Sequence, residues 1–208
     1  MDVGKLTFVP ASEASDLVAE PVRPHLQYGL WVSAIDPGLA DTAAFCEHYD
    51  VGLDISANCV VVEARRADRA WFAACIVLAT TRADINGIAR KHFGARKISF
   101  APVDSAVSLT GMEYGGITPV GLPEDWAILI DTNVIGRERV IIGSGIRGSK
   151  ILAATDVLAS LPNAEVLAIT KAAWDVERSL PLENSPEFRA VRNVRAGVLA
   201  RRHVVVVG

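Results

Sequence analysis

Two β-rich runs, residues 59–64 and 71–80, flank a short polar stretch at 65–69. So close a spacing predicts an antiparallel hairpin. Further strands are expected at 28–34, 98–101, 126–130 (ended by Asp131), 139–142 and 166–169. Helical signals are fewer. Asp36-Pro37 opens a helix through about Tyr49, with Leu39, Ala43 and Cys46 on one face. A second runs 84–93, capped by Asp84 and stopped by Gly94. Shorter ones are expected at 104–109, ending at Gly111, and at 156–161. Strands outnumber helices and are mostly joined by hairpin-length connections. The predicted class is therefore α+β: a mixed, barrel-like sheet wrapped by helices, not a doubly wound parallel sheet.

The chain of 208 residues is half apolar and 22% charged, which excludes an intrinsically disordered protein. No stretch approaches the roughly 20 apolar residues of a membrane span, and the first residues do not read as a signal peptide. A cytoplasmic protein with no membrane partner is expected. The net charge of −3 argues against a broad basic face for long nucleic acid, and DNA is not an expected partner. Cys46, Cys59 and Cys75 are an odd count without paired spacing, as suits reduced thiols. His25, His48, His92 and His203 are scattered. Cys46 and His48 would point to different helix faces, so no metal site and no cofactor are predicted.

Charge divides the chain unevenly. Residues 171–208 carry seven basic and four acidic side chains, and residues 1–170 carry fourteen and twenty. We read 1–35, broken by Pro10, Pro21 and Pro24, as an N-terminal extension packed on a domain at 36–170. Residues 171–208 form a basic C-terminal extension. There 171–184 is a connector, Ser185-Pro186-Glu187 starts a short basic helix with Phe188, Val191, Arg195 and Val198 on one face, and 204–207 is a terminal apolar run. This extension is either a solvated appendage or an arm that contacts RNA.

Two glycine-rich segments carry the chemical interest. Residues 140–148 formally match GxGxxG after a strand, the pattern of a dinucleotide-binding oxidoreductase. The context fails, because the next helix cap lies only at Thr155-Asp156. The following strand also lacks the ribose-binding acid. Ser144, between Gly143 and Gly145, would present an accessible hydroxyl, but no GxSxG elbow surrounds it. It is read as a binding group. The loop 110–121 holds four glycines and a proline. Adjacent Gly115 and Gly116 allow positive φ and close approach of the backbone to a small ligand. Gly115 to Pro119 has GxxxP spacing.

The run Thr110-Gly111, then Gly115-Gly116-Ile117-Thr118-Pro119-Val120-Gly121, then Leu129-Ile130-Asp131 and Gly143-Ser144-Gly145, resembles the YbaK/prolyl-tRNA-synthetase-associated domain family over about residues 36–170. The resemblance implies a mixed β-sheet wrapped by helices and a free-standing, trans-acting editing deacylase. Such an enzyme hydrolyses the ester of mischarged tRNA without metal or cofactor. Its partner would be the aminoacyl-tRNA acceptor end, held beside the GxxxP loop. On that basis Asn58, Asp131 and Ser144 are the expected catalytic residues. Thr110, Gly111, Tyr114, Gly115, Gly116, Pro119, Gly143 and Gly145 are the expected substrate-binding residues. Two departures stand out. Asn58 occupies the position of a family lysine, and Tyr114 that of the proline in Pro-Gly-Gly. The loss of the lysine cation leaves a second reading: a catalytically silent relative that binds aminoacyl-tRNA ends or a partner protein.

Overall fold

In the computed structural model, which describes residues 1–170, the predicted hairpin is the longest pairing. Its neighbours arrange around it. Short strands β1 (Asp2–Val3), β2 (Leu6–Thr7) and β3 (Val9–Pro10) lead to β4 (Leu30–Ala34), and helix α1 spans Thr42–Tyr49. The hairpin is β5 (Ala57–Arg66) and β6 (Arg69–Leu78). Ala57 faces Leu78 and Arg66 faces Arg69, so only Ala67 and Asp68 turn the chain, Ala67 at φ 51°. A two-residue turn of this kind needs positive φ to match the strand twist. The turn is thus tighter than the polar stretch suggests, and Arg65, Arg66 and Arg69 belong to strands.

Helix α2 (Arg90–His92), β7 (Lys97–Phe100), α3 (Val103–Thr110), β8 (Ala127–Asp131), α4 (Thr132–Ile135), β9 (Arg139–Gly143), β10 (Ser149–Ala154), α5 (Thr155–Ala159) and β11 (Ala164–Leu167) complete the order. One sheet runs β11-β8-β6-β5-β7, with β8 parallel to β6 and β11 parallel to β8. The other runs β3-β4-β10-β9 and is antiparallel. A parallel bridge, Ser56 to Ile141, joins them, and the Ile141 N–H donates to the Ile55 carbonyl at 2.7 Å. Closure needs pairing all the way round. Among the described residues both sheets are open, so the barrel-like expectation becomes two sheets hinged along β5 and β9.

The main core lies between these sheets. Ile76, Ile128, Ile130, Ile142, Ile151 and Leu78 are buried there in one cluster. The other face of the five-stranded sheet buries Val62, Ala64, Cys75 and Leu129 under the segment carrying Ile85, Ala89 and Ala95. A third cluster packs Phe45 and Cys46 of α1 against Ile141 and Leu152.

Several local expectations change. Strand β4 begins at Leu30, and Tyr28 is 95% exposed. The helix expected from Asp36 splits. Asp36 caps a short turn, accepting from the Gly38 N–H at 2.8 Å, and α1 restarts at Thr42. Ala43 is exposed, while Phe45 and Cys46 face the core. In 84–93 the chain widens into a π turn (Ile85–Ala89) before the single turn of α2. Asp84 caps it by accepting from the Gly87 N–H at 3.0 Å, and Gly94 stops it at φ 63°. Residues 143–148 join antiparallel β9 and β10, so the GxGxxG match is a strand-to-strand loop with no helix behind it. Strand β10 is an addition to the strands expected from the sequence. The connector, basic helix and apolar run expected in 171–208 lie outside the described residues.

Candidate functional site

The glycine loop after α3 is organised from its first residue. Thr110 is buried. Its Oγ1 donates to the Ala106 carbonyl at 2.7 Å and accepts from the Met112 N–H at 3.2 Å. Gly111 closes the helix in the left-handed region, at φ 64°. Thr110 and Gly111 therefore end a helix and aim the loop. The next four residues, 113–116, form a tight turn. The Gly116 N–H donates to the Glu113 carbonyl at 2.9 Å, and Gly115 has φ 82°. Positive φ at the third residue is the requirement of a type II turn, whose second position favours proline. Tyr114 fills that second position here, with its ring exposed.

The turn is pressed against the β9–β10 loop. The Gly145 N–H donates to the Gly116 carbonyl at 2.7 Å, and the Glu113 N–H donates to the Gly145 carbonyl at 2.8 Å. A Cβ on Gly116 would stand 2.6 Å from the Ile146 backbone carbon. One on Gly143 would stand 2.7 Å from the Ile117 carbonyl oxygen. One on Gly145 would run into the Ala19 Cβ. Glycine at Gly116 and Gly143 lets two backbones touch, and at Gly145 it makes room for the Ala19 side chain. Gly116 thus spends its N–H and carbonyl inside the protein, while Gly115 faces the Arg147 guanidinium and Asp41. Pro119 is buried at the loop's base.

Asn58 lies at the start of β5. Its Oδ1 accepts from the Thr42 Oγ1 at 2.8 Å, at the first residue of α1. With Oδ1 held, its Nδ2 is the donor left to present. The isolated Ser56–Ile141 bridge brings the start of β5 alongside β9. At the end of β9, Gly143 pairs with Lys150 on β10. Asn58 heads β5 on one side of this junction, and the row of Gly143 and Lys150 lies on the other.

Beside this row Arg147 ties three segments together. Its backbone N–H donates to Glu113 Oε2 at 2.6 Å and its Nε to the Pro37 carbonyl at 3.1 Å. Its Nη1 donates to the Tyr114 carbonyl at 3.5 Å and meets Asp41 Oδ1 at 3.4 Å. Lys150 is buried. Its Nζ donates to the Ala40 carbonyl at 2.8 Å and lies 5.2 Å from the Phe45 ring centre. Burial lowers its pKa to about 8. Nearby Cys46 and Asp41 oppose that shift, and Arg147 adds to it.

The other two expected catalytic residues have structural settings. Ser144 is fully buried, which corrects the expectation of an accessible hydroxyl. Its Oγ pairs with Ser149 Oγ at 2.7 Å and lies 3.0 Å from the Ser149 carbonyl. Ser149 Oγ in turn donates to the Leu17 carbonyl. The hydroxyl pair staples the β9–β10 loop to the N-terminal segment. Asp131 is fully buried at the end of β8. Oδ1 accepts from the Asn133 N–H at 3.0 Å and its Nδ2 at 2.7 Å. Oδ2 accepts from the Ile169 N–H at 2.9 Å, the Thr170 N–H at 3.1 Å and the Thr170 Oγ1 at 3.2 Å. Five donors among the described residues satisfy the carboxylate.

The structure thus packs Gly116 against Gly143 and Ile146, sets Gly115 against Arg147, ties Asn58 to Thr42, buries Ser144 within the β9–β10 loop, and sets Asp131 into its own knot. Sequence reading missed Arg147, Lys150, Asp41 and Thr42. One signal was present, a lone lysine heading the apolar run of residues 151–154. Burial raises the Cys46 and Cys59 pKa values and holds Cys75 near 12, so the thiols stay protonated at neutral pH and offer no nucleophile.

Known proteins resemble this chain in family and in fold. A family model described as "Aminoacyl-tRNA editing domain" matches residues 36–161, more than half of the chain. Among solved structures, a candidate trans-editing enzyme for prolyl tRNA synthetase superposes with a TM-score of 0.62 at 17% identity. That match covers 80% of this chain and 100% of the other. A structure from a computational epitope-grafting study gives 0.64 at 17% identity, covering 78% and 99%. A hypothetical protein gives 0.61 at 20% identity, covering 71% and 93%. These likenesses show a shared YbaK-like fold. Among the described residues, no helix is long and apolar enough to cross a membrane.

Proposed function

The chain belongs to the aminoacyl-tRNA editing domain family, and from that premise we propose that it is a deacylase. It would act in trans on the acceptor end of mischarged tRNA; a solved structure of like fold is named as a candidate trans-editing enzyme for prolyl tRNA synthetase. The observation that carries the reading is a chain of contacts: Asn58 bonds to Thr42, the adjacent Asp41 pairs with Arg147, and Arg147 lies against Gly115.

The reaction is ester hydrolysis. Water oxygen bonds to the ester carbonyl carbon, and negative charge develops on the carbonyl oxygen. The bond to the ribose oxygen then breaks, and that oxygen leaves with a proton as the free hydroxyl of the tRNA. No protein nucleophile is needed, in keeping with protonated thiols and a buried Ser144. Donors placed where the charge develops supply the catalysis. Asn58 Nδ2 and the Arg147 guanidinium are the groups we assign to this task, and a neighbouring ribose hydroxyl orders the attacking water. The Gly115 turn forms the wall against the amino acid. A pocket rejects one extra methylene by only about 1–3 kcal/mol, which is why small wrong amino acids need a separate hydrolytic site. Asp131 and Ser144 act by holding the loops.

The test is release of amino acid from Ala-, Cys- and Ser-charged tRNA by the purified chain. Release above the buffer rate, lost in Asn58→Ala and Arg147→Gln, is the expected result. No release from any charged tRNA rejects the deacylase. If Asn58→Lys then hydrolyses where the natural chain does not, the silent-relative reading replaces it.

A further inference from the structure

The far end of the β5–β6 hairpin carries a concentration of cations that the site does not use. Register places them. Arg66 stands directly opposite Arg69, and Arg65 directly opposite Lys97 on the edge strand β7. Arg96 precedes Lys97, and its N–H donates to the Arg65 carbonyl at 2.9 Å. All five residues are exposed. The nearby acids on these strands and their turn are Glu63 and Asp68. The tip is therefore basic on a body, residues 1–170, in which acids outnumber Lys and Arg twenty to fourteen.

Fold stability does not account for this placement. Like charges directly opposite in a sheet are destabilising, and the tip contains two such pairs. The head groups are also held in place. Arg66 Nη1 donates to the Gly94 carbonyl at 3.3 Å, and the Arg69 guanidinium lies 5.9 Å from the Trp71 ring centre. Arg65 makes two bonds to Glu63 Oε1, the shorter at 2.7 Å. Fixed guanidinium forks lose less entropy on meeting phosphate than free ones.

Distance selects the partner. Asn58 and Arg66 are eight residues apart on one strand, about 26 Å at ~3.3 Å per residue. A nucleic-acid duplex carries about one phosphate charge per ~1.7 Å of axis, so a stem that ends at Asn58 and lies along β5 would carry its backbone past the tip. We propose that the cationic tip formed by Arg65, Arg66, Arg69, Arg96 and Lys97 is the docking surface for the phosphate backbone of the tRNA stem whose acceptor end enters the site at Asn58 and Gly115. The choice of tRNA rests on the proposed editing function. The cluster itself rests on register and charge alone.

The experiment measures equilibrium binding of deacylated tRNA to the full chain against salt concentration. It compares the natural chain, the tip variant R66Q/R69Q/K97Q, and the control K5Q/R23Q/R82Q, which removes the same charge elsewhere. Taking away three phosphate-facing cations should weaken binding on the order of a hundredfold at about 0.1 M salt and flatten the log–log salt slope by about 2–3. The control should bind like the natural chain. The tip variant should melt close to the natural chain, since relief of the like-charge pairs offsets the lost Arg66–Gly94 and Arg69–Trp71 contacts. Equal binding by the tip variant, equal weakening in the control, or no tRNA binding by the natural chain overturns the proposal. So does loss of anionic phosphatidylserine-vesicle binding with tRNA binding unmoved. Because the tRNA is deacylated, failure of hydrolysis leaves this result standing. Hydrolysis whose KM ignores the tip variant refutes the docking surface while sparing the deacylase.

Discussion

Lys150 gives the sharpest quantitative test of the site's architecture. Its ammonium is held under the start of α1 by one carbonyl, that of Ala40, beside the Phe45 ring and the Cys46 thiol, with the Arg147 and Asp41 charges nearby. Its pKa falls from 10.5 to about 8, chiefly through burial. Between those values the unfolded chain binds a proton that the folded chain does not. Stability from this group therefore rises with pH across the window of about 8 to 10.5 and is lowest below it. The gap of about 2.5 corresponds to roughly 3 kcal/mol at about 1.4 kcal/mol per pKa unit. Other groups titrate in the same range, so the quantity to measure is the difference between the natural chain and Lys150→Met. Urea unfolding at about pH 6.5, 8, 9.5 and 10.5 supplies it. The natural chain should gain on Lys150→Met by about 2–3 kcal/mol from the lowest pH to the highest. A difference that stays flat, or one that moves the other way, refutes a desolvated ammonium at this position.

Three further substitutions separate site geometry from fold. Gly116→Ala drives a Cβ to 2.6 Å from the Ile146 backbone; thermal melting should show a loss of about 1–3 kcal/mol, and deacylation should fall with it. Gly115→Ala meets the movable Arg147 guanidinium at φ 82°. It should cost about 1 kcal/mol yet impair deacylation more than its stability loss explains, a contrast read from kcat/KM on folded protein. Asp131→Asn removes a carboxylate that accepts five hydrogen bonds and turns amide hydrogens toward the Ile169 and Thr170 N–H groups or toward Asn133. Urea unfolding should register a loss of about 2–4 kcal/mol, while the pH dependence of deacylation keeps its shape.

The β elements were legible because they announce themselves locally. The hairpin, β7, β8 and β9 are compact β-rich runs with turn residues at their ends, and their boundaries shift by only a residue or two. Strand β10 was hidden by its own role. Its lysine interrupts an apolar run, and the glycine-rich stretch before it imitates a different motif. The split at 36–49 was hidden because Asp36-Pro37 is a sound start signal, but for a single short turn. At the site, the close approach of the Gly115–Gly116 loop could be anticipated from adjacent glycines. What those glycines approach could not, because Gly143, Gly145 and Ile146 arrive from a strand loop about thirty residues later. Arg147 and Lys150 escaped for the same reason. Their meaning depends on Asp41, Ala40 and Tyr114, which only the sheet junction brings within reach. Asp131 read as a strand end, and its five donors come partly from Ile169 and Thr170, far along the chain.

The packing of backbone on backbone also explains how such a site can discriminate small amino acids without many side chains. A side-chain wall yields by changing rotamer, so it admits a substrate one methylene too large at modest cost. The wall here is a turn whose Glu113 N–H and Gly116 carbonyl are both bonded to Gly145 of the neighbouring loop. It is backed by the Gly143 and Gly145 positions, where no side chain fits. Movement of that turn would break two hydrogen bonds at once, each worth about 0.5–1.5 kcal/mol net. Stiffness of that order is comparable to the worth of a methylene in a pocket. On the proposed reading the glycines would set the size limit through rigidity, while Asn58 and Arg147, anchored by Thr42 and Asp41, would supply the charge complementarity.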